Sequence, residues 1–229
     1  MRIDSLKNSP DRAGRYWVAY DDGTKIGLYR QTVEDFGLYI GKELTEEEKV
    51  QLLTAAGKMS AKMRAVRIVS ATSVSKRDLE DRLVRKGEDP EQAREAVAWM
   101  EELHLVDDRN TAEQVVHSCI SKGYGLQRAK QALYEKRIPK QYWDEVLEDY
   151  PDQSEKIEKF LRSRLDADSD QKEIKKAIDA LIRRGHSYGA IRSGLNDLSF
   201  DSDDYIEDFC NYGKYWIYFP WLCQEPGGL

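Results

Sequence analysis

Three stretches of this sequence repeat one pattern: Leu83-Val-Arg-Lys-Gly87, Leu133-Tyr-Glu-Lys-Arg137 and Leu181-Ile-Arg-Arg-Gly185. Their leucines are 50 and 48 residues apart, a spacing typical of stacked units that contain two or three helices each. In each stretch a helical run of apolar residues reaches the leucine, a cation follows, and two of the three stretches end on glycine, which suits the left-handed end of a helix. The pattern predicts a helical array with one basic corner per unit. We call residues 83–87, 133–137 and 181–185 the first, second and third corners.

Apolar periodicity predicts nine helices in three groups of three. Before them, two runs of aromatic and β-branched residues, 15–20 and 25–30, flank an Asp-Gly turn and predict a β-hairpin. The expected fold class is therefore all-α: an elongated array of three tandem three-helix repeats with a small N-terminal hairpin. We expect a leader over residues 1–44, repeats over 45–106, 107–151 and 152–198, and an acidic, then aromatic tail over 199–229, for which the sequence indicates no function.

The starts of several helices are marked by capping residues. Thr45 and Glu48 form a capping-box pattern that predicts the start of a long first helix. Ser75, Asp89 with Pro90, and Ser187 mark three later starts. The spacing of the apolar residues predicts the buried face of the first helix: Leu52, Leu53, Ala56, Met59, Met63 and Val66.

Charge is distributed unevenly along the chain. The formal net charge is −6, which argues against a general nucleic-acid coat protein. Yet residues 122–140 carry six Lys or Arg and one Glu, while residues 141–155 carry six acids and no base. Local fields rather than the net charge are therefore expected to select partners.

The sequence contains no pattern that predicts a catalytic, cofactor or metal site. Its three cysteines, Cys119, Cys210 and Cys223, are far apart, and no phosphate-binding loop or nucleophile elbow is present. We interpret Asp107 as a helix N-cap rather than a metal ligand. The N-terminal residues lack the hydrophobic region of a secretion signal. The longest apolar run, residues 215–222, is too short to span a membrane. We expect a non-enzymatic, cytoplasmic protein without a cofactor.

The basic corners are the candidate site. A cation near the C-terminal end of one helix commonly complements the helix dipole and needs no further function. Three equivalent corners with further cations around them indicate instead a surface that contacts a phosphate backbone without reading bases. The candidate residues are Arg85, Lys86, Lys122, Arg128, Lys130, Lys136, Arg137, Lys140, Lys172, Lys175, Lys176, Arg183, Arg184 and Arg192.

From about residue 66 to residue 198 the chain resembles the RecX family of bacterial modulators of the RecA recombinase. The resemblance rests on Leu103-His-Leu-Val-Asp107-Asp108-Arg109, on Ser75-Lys-Arg-Asp-Leu79 and on Lys122-Gly-Tyr-Gly125, together with the third corner. Three positions depart from the family pattern: Arg137 stands in place of glycine, Thr111 in place of an aromatic residue and Val74 in place of arginine.

The resemblance implies a regulator that binds RecA filaments on single-stranded DNA and modulates, in the inhibitory direction, the recombinase, ATPase and SOS co-protease activities of RecA. We further expect weak backbone contact with nucleic acid, no membrane contact and a monomer. Two alternatives remain open from the residues: a helical scaffold that pairs its charged patches with another protein, and an independent helix-turn-helix DNA-binding regulator. The cations precede the turns instead of lying at helix N-termini, which favours backbone contact over base reading.

Overall fold

The computed structural model describes residues 1–9, 14–166 and 168–200. The expected tail lies outside the described residues from position 201 onward. Contacts within the chain divide it into two compact units, with the boundary between Asp107 and Asp108. The described residues contain ten α-helices and one three-stranded sheet, so the fold is mostly helical as predicted. Nine of the helices lie within residues 45–198, the span for which the periodicity predicts nine.

The first unit begins with an antiparallel sheet of three strands in the order β1-β2-β3, formed by Ile3–Asn8, Arg15–Tyr20 and Lys25–Tyr29. Strands β2 and β3 are the predicted hairpin, and Gly23 adopts a left-handed φ of 83° in its turn. Strand β1, which pairs with the other edge of β2, was not predicted from the sequence. Its pairing register shifts between Ile3 and Ser5, so its side chains do not follow the regular alternation that identifies a strand.

Four helices complete the first unit: α1 (Arg30–Asp35), α2 (Glu46–Ala71), α3 (Lys76–Arg85) and α4 (Pro90–Glu102). The predicted caps are confirmed. Thr45 and Glu48 form a capping box, and the side chains of Ser75 and Asp89 accept N–H groups of the first turns of α3 and α4. Each accepts donors that the helix itself leaves without a partner.

Helix α2 contributes buried residues to two hydrophobic cores. Leu52 packs with the sheet core around Val18 and Leu28, whereas Ala61 and Ala65 pack with α3 and α4. The predicted buried face was wrong for Leu53, which is 47% exposed. Leu52, the preceding residue, packs on the sheet core, and the fully buried positions farther along α2 are Ala61 and Ala65.

The second unit contains α5 (Asp108–Ser121), α6 (Leu126–Glu135) and α7 (Trp143–Leu147), then α8 (Ser154–Arg162), α9 (Gln171–Arg183) and α10 (Tyr188–Asn196). A 3-10 turn, Lys140–Tyr142, precedes α7. Trp143 is a core residue that was not predicted from the sequence. It is buried, and its indole N–H donates to the Ile138 carbonyl at 3.1 Å. Among the described residues no helix is long and apolar enough to cross a membrane.

Candidate interface at the three basic corners

The three corners share one backbone geometry. Lys86, Lys136 and Arg184 are the C-cap residues of α3, α6 and α9. The residue after each cap is left-handed, with φ values of 87° at Gly87, 55° at Arg137 and 82° at Gly185. The next N–H then donates to the carbonyl of the corner leucine, at 3.1 Å for Glu88 to Leu83, 3.0 Å for Ile138 to Leu133 and 3.2 Å for His186 to Leu181. This is the Schellman arrangement, which satisfies carbonyls that a helix end leaves open.

The corner leucines anchor this geometry in the hydrophobic cores. Leu83 and Leu133 are 0% exposed and Leu181 is 1% exposed. Arg137 adopts the left-handed conformation even though it replaces the expected glycine, which costs a residue with a Cβ about 1–2 kcal/mol. The repeated sequence pattern therefore corresponds to a repeated structure that fixes a cation at each helix end.

The first corner is held by side chains of α2. The Arg64 guanidinium donates to the Lys86 carbonyl at 2.9 Å and forms an ion pair with Glu88 at 2.6 Å. The Glu88 carboxylate is almost fully buried and also accepts the Ser60 hydroxyl at 3.0 Å. Arg64 thus neutralises the acidic residue beside the corner, and the Lys86 side chain stays exposed.

The second corner is flanked by an internal ion pair. Arg128 on α6 pairs with Glu135 at 3.0 Å, so part of the positive charge predicted for this corner is neutralised within the helix. Arg137 is exposed and Lys136 is half-buried.

The third corner is held by backbone groups and by an aromatic ring. The Gly125 N–H donates to the Arg184 carbonyl at 2.8 Å, and the Gln127 N–H donates to the Gly185 carbonyl at 3.2 Å. The negative end of the α9 dipole thereby meets the positive end of the α6 dipole. The Arg184 guanidinium carbon lies 4.5 Å from the centroid of the Phe160 ring, which also faces Arg164 at 5.3 Å.

Close backbone approach brings the third corner against the start of α6. A Cβ on Gly185 would lie 2.2 Å from the Arg128 backbone nitrogen, and a Cβ on Gly125 would lie 2.1 Å from the Gly185 carbonyl oxygen. The imidazole Nε2 of His186 lies 3.1 Å from the Gly123 carbonyl. Burial lowers the pKa of His186, and the charge of Arg184 lowers it further, although the Gly123 hydrogen bond opposes both. The imidazole is therefore neutral at pH 7 and serves the junction as a donor.

The structure distributes the predicted site residues over several elements. In the second unit it brings the backbone of Arg128 close to Gly185, the residue after Arg184, and in the first it places the Lys86 carbonyl against Arg64. Arg64 and Phe160 were not identified as site residues. They lie 22 and 24 residues from the cap residues they contact, so no local pattern reveals them. The exposed candidates are Arg85, Lys86, Lys122, Arg137, Lys140, Lys172, Lys176, Arg183 and Arg192, and the half-buried ones are Arg128, Lys130, Lys136, Lys175 and Arg184.

Comparisons with known proteins show which family this chain resembles. A family described as "RecX, second three-helix domain" matches residues 107–147, which include the second corner. A regulatory protein RecX of Chlorobaculum tepidum is 36% identical over 140 residues, covering 59% of this chain and 86% of the relative. One of Clostridioides difficile is 26% identical over 210 residues, covering 89% of this chain and 97% of the relative.

Solved structures share the fold. A crystal structure of a regulatory protein RecX superposes with a TM-score of 0.57 and 22% identity, covering 86% of this chain and 98% of its own. RecX from Lactobacillus salivarius superposes with a TM-score of 0.54 and 22% identity, covering 63% of this chain and 98% of its own.

Proposed function

The chain belongs to the RecX family of regulatory proteins, and from this premise we propose that it binds RecA filaments on single-stranded DNA and inhibits RecA. The inhibited activities are the recombinase, ATPase and SOS co-protease functions in DNA repair. The protein acts as a non-enzymatic monomer in the cytoplasm and needs no cofactor. The regulatory names of the relatives support this role.

The observation that carries the proposal is the cation that each corner presents at a fixed C-cap position. A helix end that is buried through its leucine and closed by the Schellman hydrogen bonds holds its cap residue in a defined place. Cations held in this way suit the contact with phosphates, whose charge repeats along the strand whatever the base sequence. Because the whole chain carries a net charge of −6, DNA contact without RecA is expected to be weak.

The direct experiment adds the protein to preformed RecA filaments on single-stranded DNA and follows ATP hydrolysis. We expect the wild-type protein to lower the rate. A variant in which Lys136, Arg137, Arg183 and Arg184 are all replaced by glutamate should lose this effect. It should still fold, because the interaction of each of these cations with the dipole of its helix contributes only about 0.3–1 kcal/mol.

Leucine variants provide the stability control. Leu133→Ala or Leu181→Ala should lower the free energy of unfolding by about 2–5 kcal/mol, because each removes a fully buried side chain. A folded glutamate variant that still inhibits RecA would refute the part assigned to the corners. A wild-type protein without effect on RecA would refute the proposed function and favour the helical scaffold or the independent DNA-binding regulator.

A further inference from the structure

At the third corner two arginines lie against one aromatic ring, that of Phe160. Arg164 lies just beyond the end of α8, four residues after Phe160, and Arg184 reaches the same ring from the end of α9. Phe160 itself packs on the hydrophobic core of the third repeat, around Leu161 and Ile178. The ring is therefore a fixed platform for two guanidinium groups.

The charges of Arg164 and Arg184 are not neutralised by an ion pair within the described residues. Other arginines of the same unit are paired: Arg162 with Glu158 at 2.6 Å, and Arg128 with Glu135 at 3.0 Å. Two positive charges beside one ring repel each other, because salt screens charges fully only beyond the Debye length, about 8 Å at physiological salt. An anion bound between or beside them relieves that repulsion.

The geometry also prepares the arginines for a phosphate. Stacking on an aromatic face leaves the N–H groups at the edge of the guanidinium plane available, and that edge matches the oxygens of a phosphate. The backbone of Arg184 is fixed by the hydrogen bond from Gly125. Less side-chain entropy is then lost when an anion binds.

We propose that Arg164 and Arg184, supported by Phe160, bind neighbouring phosphates of single-stranded DNA. The chemical class is a phosphodiester strand rather than an acidic protein surface, because one strand supplies regularly repeated charges for both arginines. The inference rests on the proposed function, since that function brings the protein to DNA within a RecA filament. Within this site Arg164 and Phe160 are new members, and the third corner is the main DNA contact of the second unit.

The test measures DNA binding without RecA. Fluorescence anisotropy of a labelled single-stranded oligothymidylate is recorded over a series of salt concentrations with wild-type protein and with a variant carrying Arg164→Gln and Arg184→Gln. The double variant should bind several-fold more weakly. The slope of log affinity against log salt should become less negative by roughly 1.4, since each lost phosphate contact on a single strand contributes about 0.7.

A matched control removes the same charge from paired arginines of the same unit. Arg162 pairs with Glu158, and Arg109 pairs with Glu113 and Glu145. The variant with Arg109→Gln and Arg162→Gln should keep the wild-type slope. A variant with Arg164→Lys and Arg184→Lys should keep the slope and lose affinity, because lysine preserves charge without the stacked, forked donor. Thermal melting verifies that each variant folds.

Three results would overturn the inference. The double glutamine variant could bind with the wild-type slope. The control variant could lose as much affinity, which would mean that only net charge matters. The double variant could also bind DNA normally yet fail to bind RecA free of DNA, which would assign the arginines to an acidic protein surface. Since RecA is absent from the DNA assay, a failure of the proposed function would appear separately, as a wild-type protein without effect on RecA ATP hydrolysis.

Discussion

The first and third corners have the same local hydrogen bonds and different surroundings. At the first corner a side chain, Arg64, binds the Lys86 carbonyl and neutralises Glu88. At the third corner a backbone N–H, that of Gly125, binds the Arg184 carbonyl, and the Arg184 side chain lies on Phe160. The two corners show that local and distant residues determine different properties of a helix end. The local sequence sets the helix end, whereas distant residues decide how crowded the corner is and whether its charge is available.

The largest expected difference concerns the two corner glycines. Both Gly87 and Gly185 are left-handed, but a Cβ on Gly87 would meet no heavy atom within 4 Å, whereas one on Gly185 would lie 2.2 Å from the Arg128 backbone nitrogen. Gly87→Ala should therefore cost about 1–2 kcal/mol of backbone strain. Gly185→Ala should add a backbone clash and cost about 2–5 kcal/mol in total. Chemical denaturation of the two variants measures both losses, and equal losses would show that the junction at Gly185 relaxes freely.

The next difference concerns the two arginines that contact the corners. Arg64→Ala leaves the buried Glu88 carboxylate with the Ser60 hydroxyl as a remaining donor, which should cost about 1–3 kcal/mol. Arg184→Ala removes a contact to the Phe160 ring at a half-buried site and should cost about 0.5–1 kcal/mol. Unfolding curves in denaturant test the ranking. If Arg184→Ala proved the more destabilising change, Arg184 would be a structural residue and would be less available for a ligand.

A smaller effect is expected at the second corner. Arg137 is left-handed with a φ of 55°, so Arg137→Gly relieves strain, although glycine also increases the entropy of the unfolded chain. The net change should be a stabilisation of less than about 1 kcal/mol. A lower melting temperature for this variant would mean that contacts of the Arg137 side chain outweigh the strain.

Much of this organisation follows from local patterns. The corner leucines, the cap residues Ser75 and Ser187 and the hairpin could be predicted because each depends on neighbours within one helix turn or one strand pair. The contacts of Arg64 with Lys86 and of Phe160 with Arg184 could not, since the two residues of each pair lie more than 20 residues apart. Leu53 was misassigned because it is apolar and adjoins Leu52 in the sequence, whereas in the structure Leu52 packs on the sheet core and Leu53 is exposed.

The smallest expected effect is a pH dependence that arises from His186 at the third corner. The residue that follows the third corner is His186, whereas the residue that follows the first corner is Glu88, which pairs with Arg64. Burial lowers the pKa of His186 in the folded protein below its ordinary value of 6.5. As the pH falls below 6.5, His186 binds a proton more readily in the unfolded chain than in the folded one. The free energy of unfolding is therefore highest above this pH and declines below it.

Thermal melting between pH 7 and pH 5 should therefore show a progressive loss of stability in the second unit. The slope cannot exceed about 1.4 kcal/mol per pH unit, the limit for one proton. His186→Gln keeps a donor for the Gly123 carbonyl and removes the titration, so its stability should vary less over this range than that of the wild type. If the variant and the wild type had the same pH profile, His186 would take up its proton equally well in the folded protein. The contact between Gly123 and the third corner would then be looser than the close approach of Gly125 to Gly185 requires.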